Sequence, residues 1–224
     1  MIIAIDGPAA AGKGTVSKAV AAHFGFAHLD TGLLYRAVGA RVLAGAEPEA
    51  AARALVPGDL DAGRAPADAD AAIAAAEALR TDELASPRLR DEEIGRATSV
   101  LAAIPAVRTA LLAFQRRFAA TPPGAVLDGR DIGTVVCPEA EVKVFLVADA
   151  AERARRRAKE LQDRGVPAIE ARILQDIQER DARDSGRSTA PLSQAEDAFV
   201  LDTTQLDPEA AFQAVLAHIA SRAR

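Results

Sequence analysis

Short apolar segments alternate with longer helical patterns along this chain. The apolar segments predict strands at residues 1–6, 27–30, 125–128, 141–148 and 199–203. Apolar residues follow one another almost without interruption in these segments, which is typical of parallel strands that helices cover on both faces. Strands that alternate with helices therefore predict an α/β fold with a parallel sheet and right-handed crossovers.

Several helices have recognisable start signals. A helical pattern occupies residues 16–24. Asp149 and Glu152 have the spacing of a capping box, in which two side chains satisfy backbone N–H groups at the start of a helix. Asp207 precedes Pro208, and proline is favoured at the first helical position because no N–H is needed there.

The stretch from residue 44 to residue 80 has a different composition, with many alanines and scattered glycines, prolines and acids. It fits either a linker or loosely packed helices, and we predict helices near 68–80 and 88–102. We interpret residues from about 44 to 100 as a lobe inserted into one domain that spans residues 1–224. The core of that domain comprises residues 1–43 and 101–224.

The first strand leads into a glycine-rich segment that opens the first helix. We call this segment the phosphate cradle; it comprises Gly7, Pro8, Ala9, Ala10, Ala11, Gly12, Lys13, Gly14 and Thr15. Glycine lets backbone N–H groups approach phosphate oxygens closely, and the helix presents its positive end to the same place. Lys13 adds a full charge for the outer phosphates. This order of elements indicates nucleotide binding rather than a tight turn with an exposed lysine.

The hydroxyl group of the cradle is displaced by one position. Gly14 follows Lys13, and the hydroxyl belongs to Thr15. This sequence motif resembles that of the nucleoside monophosphate kinases. GTPases and motor ATPases instead carry a magnesium-binding hydroxyl directly after the lysine. Direct binding of magnesium by Thr15 is therefore left open.

Charged residues follow two of the predicted strands, and ligands of parallel sheets bind at the carboxyl ends of strands. Arg130 stands between Asp128 and Asp131. It offers a bidentate partner for phosphate beside hydrogen-bond acceptors. Thr31 is placed to cap the helix that would carry Arg36. Each group also has a local interpretation, as an ion pair or as a capped helix with a surface arginine.

Arginines are dense around residue 180. Arg180, Arg183 and Arg187 share one face if a helix continues through them. Like charges repel, so an anion or an acid is expected between them. The alternative is a solvated ion pair between Arg180 and Asp184, which contributes only about a few tenths of a kcal/mol.

A second basic run begins at residue 152, on a helix predicted to end near residues 164–165. Such a run is either a solvated helix face or a mobile lid, which we place at about 153–166. In a phosphoryl transferase, arginines on a mobile lid neutralise developing phosphate charge. Arg153 and Arg157 share one face of this helix and are the candidates for that role.

The composition argues against several other classes of protein. A net charge of −5, one tyrosine and no tryptophan do not suit nucleic-acid binding. The single cysteine, Cys137, rules out an internal disulfide and fits a reducing compartment. No apolar run approaches the ~20 residues of a membrane span, and because the first residues already have the pattern of a strand we expect no leader segment. The three histidines lack metal-ligand spacing. We therefore expect a cytoplasmic protein without a structural metal.

Five segments together resemble the bacterial cytidylate kinases and cover most of the chain in the family's order. They are IDGPAAAGKGT (5–15), LDTGLLYR (29–36), ATSVLAAIPAVR (97–108), LDGRDIGTVVCPEAEVKVFL (127–146) and ERDARDSGRSTAPL (179–192). The resemblance implies a three-layer P-loop kinase fold with a five-stranded parallel sheet, an inserted nucleoside-monophosphate lobe and a short lid. It also implies transfer of the γ-phosphoryl group of ATP to CMP or dCMP with Mg²⁺.

The resemblance further implies a role for each site residue. The cradle holds ATP, and the catalytic set comprises Lys13, Arg130, Asp131 and Arg180. The phosphate of CMP is held by Arg36, Arg130 and Arg180. The cytosine is surrounded by Thr31, Ser99, Arg108, Asp131 and Arg187, and the ribose meets Asp184 and Arg180. An acid suits the amino group of cytosine, and Arg108 suits its acceptors but would face the N3–H donor of uracil.

The chain departs from the family pattern in two places. Thr31 stands where many relatives have serine, and residues 56–88 lack a clear strand pattern, which puts the small sheet of the lobe and the tightness of pyrimidine choice in question. Two alternatives share the cradle: another small-molecule kinase, such as a shikimate or dephospho-coenzyme A kinase, and a non-catalytic nucleotide-binding regulator. Nothing specifies a dimer surface, so a monomer with small-molecule nucleotides as its partners is expected.

Overall fold

A five-stranded parallel sheet forms the centre of the fold, in a computed structural model that describes residues 1–45, 69–187 and 189–222. The strands are β1 (Ile2–Asp6), β2 (Ala27–Asp30), β3 (Ala125–Gly129), β4 (Val142–Val147) and β5 (Phe199–Asp202), in the order β2-β3-β1-β4-β5. The predicted α/β fold with a parallel sheet is therefore confirmed.

The central strand β1 is buried on both faces. Ile3, Ala4 and Ile5 are inaccessible to solvent, as the uninterrupted apolar pattern predicts. Asp6, its last residue, pairs with Gly129 of β3 and Phe145 of β4. The carboxyl ends of β1 and β3 therefore lie level, and β4 extends two residues further at the same edge of the sheet, which is where this fold class binds ligands.

Helices connect the strands. Those described are α1 (Lys13–Phe24), α2 (Thr31–Gly45), α3 (Ala69–Glu77), α4 (Glu92–Leu101), α5 (Pro105–Ala119), α6 (Ala150–Asp163), α7 (Glu170–Ser185) and α8 (Pro208–Arg222). Two 3₁₀ turns, Thr81–Ala85 and Pro87–Arg90, precede α4, and a π-helical turn, Ile132–Val136, follows β3. The helix predicted at 88–102 begins only at Glu92, because the 3₁₀ turn at Pro87–Arg90 comes first.

Of the two predicted helix caps, the structure contains the one at α8 and lacks the one at α6. Ala210 N donates to Asp207 Oδ1 at 2.7 Å, so the predicted cap of α8 is confirmed. The predicted capping box of α6 is wrong, since the Asp149 side chain makes no cap bond. Asp149 N donates instead to Thr204 Oγ1 at 3.0 Å. The Glu152 carboxylate is held by arginines of its own helix, so it does not reach back to the helix start.

Helices α1 and α8 pack on the sheet around one apolar cluster. The cluster includes Val16 and Val20 of α1, Val215 and Ile219 of α8, and buried residues of β1 and β4. Cys137 is also fully buried, and burial raises the pKa of its thiol to about 11. Cys137 is therefore an unreactive packing residue, in keeping with its lone position in the sequence.

Contacts within the chain define two units, Met1–Leu29 with Arg116–Arg224, and Asp30–Gln115. The first unit holds the cradle and the hairpin of α6 and α7, whose small core comprises Ala154, Ala158, Leu161, Ile173 and Ile177. The lobe boundaries near 44 and 100 stay a prediction, and much of the lobe's expected small sheet lies outside the described residues. No described helix is long and apolar enough to cross a membrane.

Candidate active site

The phosphate cradle follows β1 and ends in the first turn of α1. Gly7 has φ +146°, and a Cβ atom there would lie 2.1 Å from the carbonyl oxygen of Leu146 on β4. No side chain fits in that space. Gly12 has φ +91°, a conformation that glycine adopts without strain, and α1 begins at the next residue. These two glycines let the loop turn sharply, so that the amino end of α1 points into the cradle.

Lys13 lies inside the cradle and is only 7% exposed. Its Nζ donates to the carbonyl oxygen of Pro8 at 2.7 Å, so the loop holds the charged end of the side chain. Thr15 lies two residues further on and is exposed. Lys13 therefore supplies a positioned cation and Thr15 an accessible hydroxyl at the same helix start.

Asp6 is a site residue that the sequence reasoning missed. Its carboxylate accepts N–H bonds from Ile132 and Gly133, each at 2.8 Å, and so joins the base of the cradle to the turn after β3. Burial raises the pKa of Asp6 to about 6; the two N–H bonds and Lys13 lower it, whereas the Asp131 charge raises it further. The available signal was an acid at the carboxyl end of a fully apolar strand.

The raised pKa of Asp6 predicts that its ionisation opposes folding. The pKa is about 6 in the folded chain against an ordinary 3.8, so the folded state binds more protons between these values. The stability that the folded protein gains from proton binding at Asp6 is fully present below the unfolded pKa. It is lost as the pH rises through the folded pKa, and a shift of this size corresponds to about 3 kcal/mol. The difference in unfolding free energy between wild type and Asp6→Asn should therefore fall from pH ~4 to ~6 and stay level above. Urea unfolding of both proteins across this range measures it, and a pH-independent difference would contradict it.

Three arginines surround one buried acid, Asp184, which is 1% exposed. Arg130 Nε donates to Asp184 Oδ2 at 2.9 Å, and Arg180 Nε lies 3.9 Å from the same oxygen. Arg187 binds the other carboxylate oxygen. Burial alone would raise the pKa of Asp184, but the three guanidinium groups hold it below its usual range. We call these four residues the arginine cluster; its three positive charges exceed its one negative charge, which suits it to phosphate.

The cluster corrects the expectation that Arg180, Arg183 and Arg187 share a helix face. Helix α7 ends at Ser185, so Arg187 lies beyond it and turns back to Asp184. Arg183 lies 4.0 Å from Glu179 and is the more exposed of the two helical arginines. The solvated Arg180–Asp184 pair is also excluded, because Asp184 is buried. The expected acid between the arginines is Asp184 itself.

The basic run on α6 serves several contacts. Arg153, 5% exposed, donates to the Ala9 carbonyl at 3.2 Å and to Asp181 Oδ2 at 2.6 Å. It thereby ties the cradle to α7, one turn before Asp184. Arg157, by contrast, pairs with Glu160 at 2.8 Å and is partly exposed. The run is therefore not simply a solvated face, and Asp181 is a partner that sequence spacing did not reveal.

The two acids after β3 have separate environments. Asp128 is buried, and His28 Nε2 lies 2.8 Å from its Oδ2. Asp131 is 6% exposed and precedes the π-helical turn, whose Val135 N donates to its carbonyl at 2.9 Å. Arg130, between them, points to Asp184. The alternative interpretation of this segment was an ion pair between Arg130 and a neighbouring acid. In the structure, Arg130 pairs instead with Asp184, far along the chain.

The second unit contains the remaining predicted site residues. Thr31, 4% exposed, is the first residue of α2. Arg36 Nη1 donates to the Leu89 carbonyl at 2.6 Å. Arg108 is buried, donates from Nη1 to the Ala102 carbonyl at 3.1 Å, and stacks over Tyr35 with 5.5 Å between Cζ and the ring centroid. Arg36 is therefore not a plain surface arginine. Ser99 belongs to α4, but its side chain lies outside the described part of the structure.

A cavity of about 480 Å³ opens beside the cradle. Its lining comprises Asp149, Ala151, Glu152, Arg155, Thr204, Gln205, Leu206 and Asp207. The lining loop is tied to the cradle because Thr203 Oγ1 donates to the Ala11 carbonyl at 3.1 Å. Arg156 Nη2 reinforces it by donating to the Thr203 carbonyl at 2.5 Å.

Metal ligands are sparse around the cradle. Across residues 1–45, 69–187 and 189–222, no three His, Cys, Asp or Glu side chains are grouped to hold a metal ion. Mg²⁺ in phosphoryl-transfer sites keeps several waters and binds substrate phosphates with few protein ligands. Thr15, an exposed residue of the cradle, carries a hydroxyl that fits a Mg²⁺ ion brought in by a nucleotide, but not an all-protein cage.

Comparison with known proteins agrees with this geometry. A sequence model of the family described as "Cytidylate kinase" matches residues 3–223. A cytidylate kinase of Rhodopseudomonas palustris (strain BisB18) is 55% identical over 216 residues, covering 96% of this chain and 94% of the relative. A cytidylate kinase of Paramagnetospirillum magneticum is 55% identical over 224 residues, with 99% and 98% coverage. A crystal structure of an uncharacterized protein from Eubacterium ventriosum aligns with a TM-score of 0.53 at 15% identity over 99% of each chain, which supports the fold alone.

Proposed function

The chain belongs to the cytidylate kinase family and transfers the γ-phosphoryl group of ATP to CMP or dCMP; we propose that the cradle and the arginine cluster perform this transfer. The observation that carries the proposal is the gathering of Arg130, Arg180 and Arg187 around buried Asp184. A cluster with excess positive charge, tied through Arg153 to the cradle, suits the meeting of two phosphates.

On the ATP side, the backbone N–H groups of the cradle surround the phosphates, and Lys13 neutralises the outer ones. The nucleoside part of ATP occupies the cavity beside the cradle, since the Thr203 contact keeps that loop against Ala11. Arg157 approaches the ATP phosphates from the hairpin, together with Arg153. Mg²⁺ would be held mainly by the phosphates of ATP, with the Thr15 hydroxyl as the protein group available to it, and would supply charge neutralisation.

On the CMP side, the first unit supplies Arg130 and Arg180 for the phosphate. Asp184 orients both arginines and meets the ribose with Arg180. Asp131 accepts a hydrogen bond from the amino group of cytosine, and Arg187 lies beside the base. The buried position of Asp184 supports this role, because a fixed carboxylate holds guanidinium groups in defined directions.

The second unit supplies Arg36 for the phosphate and Thr31, Ser99 and Arg108 for the base. Arg108 is held over the ring of Tyr35, and this fixed position supports its role as a donor to the acceptors of cytosine. Uracil would present an N–H donor to this donor group. A buried mismatch of that kind costs on the order of a few kcal/mol.

The attacking phosphate oxygen of CMP is already an anion, so the reaction needs no strong general base. The residues act by holding the two phosphates in line and by neutralising charge in the transition state. Closure of the lid at about 153–166 excludes water, which would otherwise hydrolyse ATP.

The acceptor profile tests the function directly. ADP release is measured from ATP and Mg²⁺ with CMP, dCMP, UMP, AMP or shikimate offered separately. High rates with CMP and dCMP alone are expected, because Arg108 and Asp131 match cytosine. Comparable rates with UMP would contradict the base-recognition roles while leaving the kinase intact. ATP binding without any acceptor-dependent ADP release would contradict the activity and favour a regulator.

We also propose the reducing cytoplasm as the compartment and a monomer as the working form. The single buried cysteine supports the first proposal. Sedimentation at several protein concentrations tests the second, and a concentration-dependent mass would contradict it.

A further inference from the structure

Gly95 on α4 lies directly against the side chain of Arg36. Arg36 begins on α2 and reaches α4, where Nη1 donates to the Leu89 carbonyl at 2.6 Å and approaches the Asp91 carbonyl at 3.4 Å. These carbonyls lie in the 3₁₀ turn and at the start of α4. The guanidinium group of Arg36 therefore rests at the amino end of that helix.

The space beside Gly95 is filled by this guanidinium group. A Cβ atom at residue 95 would lie 3.2 Å from Arg36 Nη2, 3.5 Å from Nη1 and 3.6 Å from Cζ. The guanidinium group therefore packs closely against α4 at Gly95, with Nη2 as its nearest atom. A methyl group there would push the guanidinium away by a few tenths of an ångström.

Backbone conformation does not explain glycine at this position. Gly95 lies within α4, and its φ lies outside the left-handed range that favours glycine. Glycine inside a helix is less favourable than alanine, so the residue weakens the helix that carries it. Room for Arg36 is the feature of the structure that accounts for it.

We propose that Gly95 is a positioning residue for CMP, which acts by letting Arg36 pack closely on α4 and present its guanidinium group to the CMP phosphate. The inference rests on the proposed role of Arg36. Alignment of a planar guanidinium with phosphate oxygens depends on direction as well as distance, so a small displacement weakens the contact.

The variant Gly95→Ala tests this inference. The KM for CMP should rise by about fivefold to tenfold, because the added methyl group displaces Arg36. The KM for ATP should stay unchanged. The melting temperature should stay level or rise, because alanine favours the helix. A merely structural role for Gly95 predicts the opposite, a lower melting temperature with both KM values affected together.

Two controls separate the contributions. Gly39→Ala adds a methyl group on α2 that meets α4 at Ala97, 3.4 Å away, without touching Arg36; its KM for CMP should stay within about twofold. Adding Gly95→Ala to Arg36→Ala should not raise the KM for CMP further, since the displaced group is already absent.

The outcomes distinguish the inference from the function beneath it. If Arg36→Ala raises the KM for CMP and Gly95→Ala does not, the inference about Gly95 is wrong and the role of Arg36 stands. An effect of Gly95→Ala that persists in the Arg36→Ala background also overturns it. If Arg36→Ala leaves the KM for CMP unchanged, the proposed role of Arg36 is wrong and the inference falls with it.

Discussion

Replacing Lys13 with Met is expected to lower kcat on the order of a thousandfold, the scale of losing one positioned charge-stabilising group. Methionine keeps most of the length and apolar volume of the side chain and removes its ammonium group, with the positive charge and the bond to the Pro8 carbonyl. Lys13 is nearly buried and held by Pro8, so no other cation of the cradle takes its place. The charge that builds on the transferred phosphoryl group then lacks its partner at the helix start.

Coupled ADP release with CMP measures kcat and both KM values for this variant. Lys18→Met is the matched control, because Lys18 lies on the exposed side of the same helix. It loses the same charge and should keep kcat within about twofold, since an exposed lysine contributes little to a site it does not touch. Activity of Lys13→Met within a few-fold of wild type would show that the cradle has been assigned wrongly.

Replacing Arg180 with Ala should also lower kcat, on the order of a thousandfold, while the protein stays folded. Arginines that neutralise phosphoryl-transfer charge contribute roughly 10³-fold or more to kcat. Arg180 is partly exposed and lies 3.9 Å from Asp184, so it is the outermost arginine of the cluster. Asp184 keeps Arg130 and Arg187 after the change, and no buried charge is left uncompensated.

Kinetics and thermal unfolding are measured on the same preparation of Arg180→Ala. Arg183→Ala is the matched control, because Arg183 lies three residues further along α7 and pairs with Glu179. Its kcat should be unchanged. Unchanged kinetics in Arg180→Ala would contradict the role of Arg180, and a large loss of stability would show that the cluster is mainly structural.

Replacing Asp184, unlike replacing Arg180, is expected to lower the stability of the protein. Its removal would leave three arginines facing one another around a buried position. Breaking a buried charge network by removing one partner costs about 3–5 kcal/mol of stability. Asp184→Ala should therefore unfold at clearly lower urea concentration than Arg180→Ala, which separates the structural acid from the catalytic arginine.

The strands and the cradle were predictable because their signals are local. An apolar run such as Ile3 to Ile5 has to be buried on both faces, and a glycine-rich turn after it leaves few conformations open. Asp207 before Pro208 likewise marks a helix start through neighbouring atoms. Local signals were less reliable where a distant residue competed for the same group. At Asp149 the predicted cap did not form, and the backbone N–H donates to Thr204, fifty-five residues away.

The sequence by itself determined the order of strands and helices, the position of the phosphate cradle and the residue types able to bind phosphate, because each depends on neighbours along the chain. Only the tertiary structure decided which charges meet. Spacing placed Arg187 on the α7 face, whereas the fold ends that helix and returns Arg187 to Asp184. The Ile132 and Gly133 bonds to Asp6, the Arg153 bond to Ala9 and the seat of Arg36 on Gly95 likewise join residues far apart in sequence. Long side chains reach many possible partners, and burial in the folded chain selects among them.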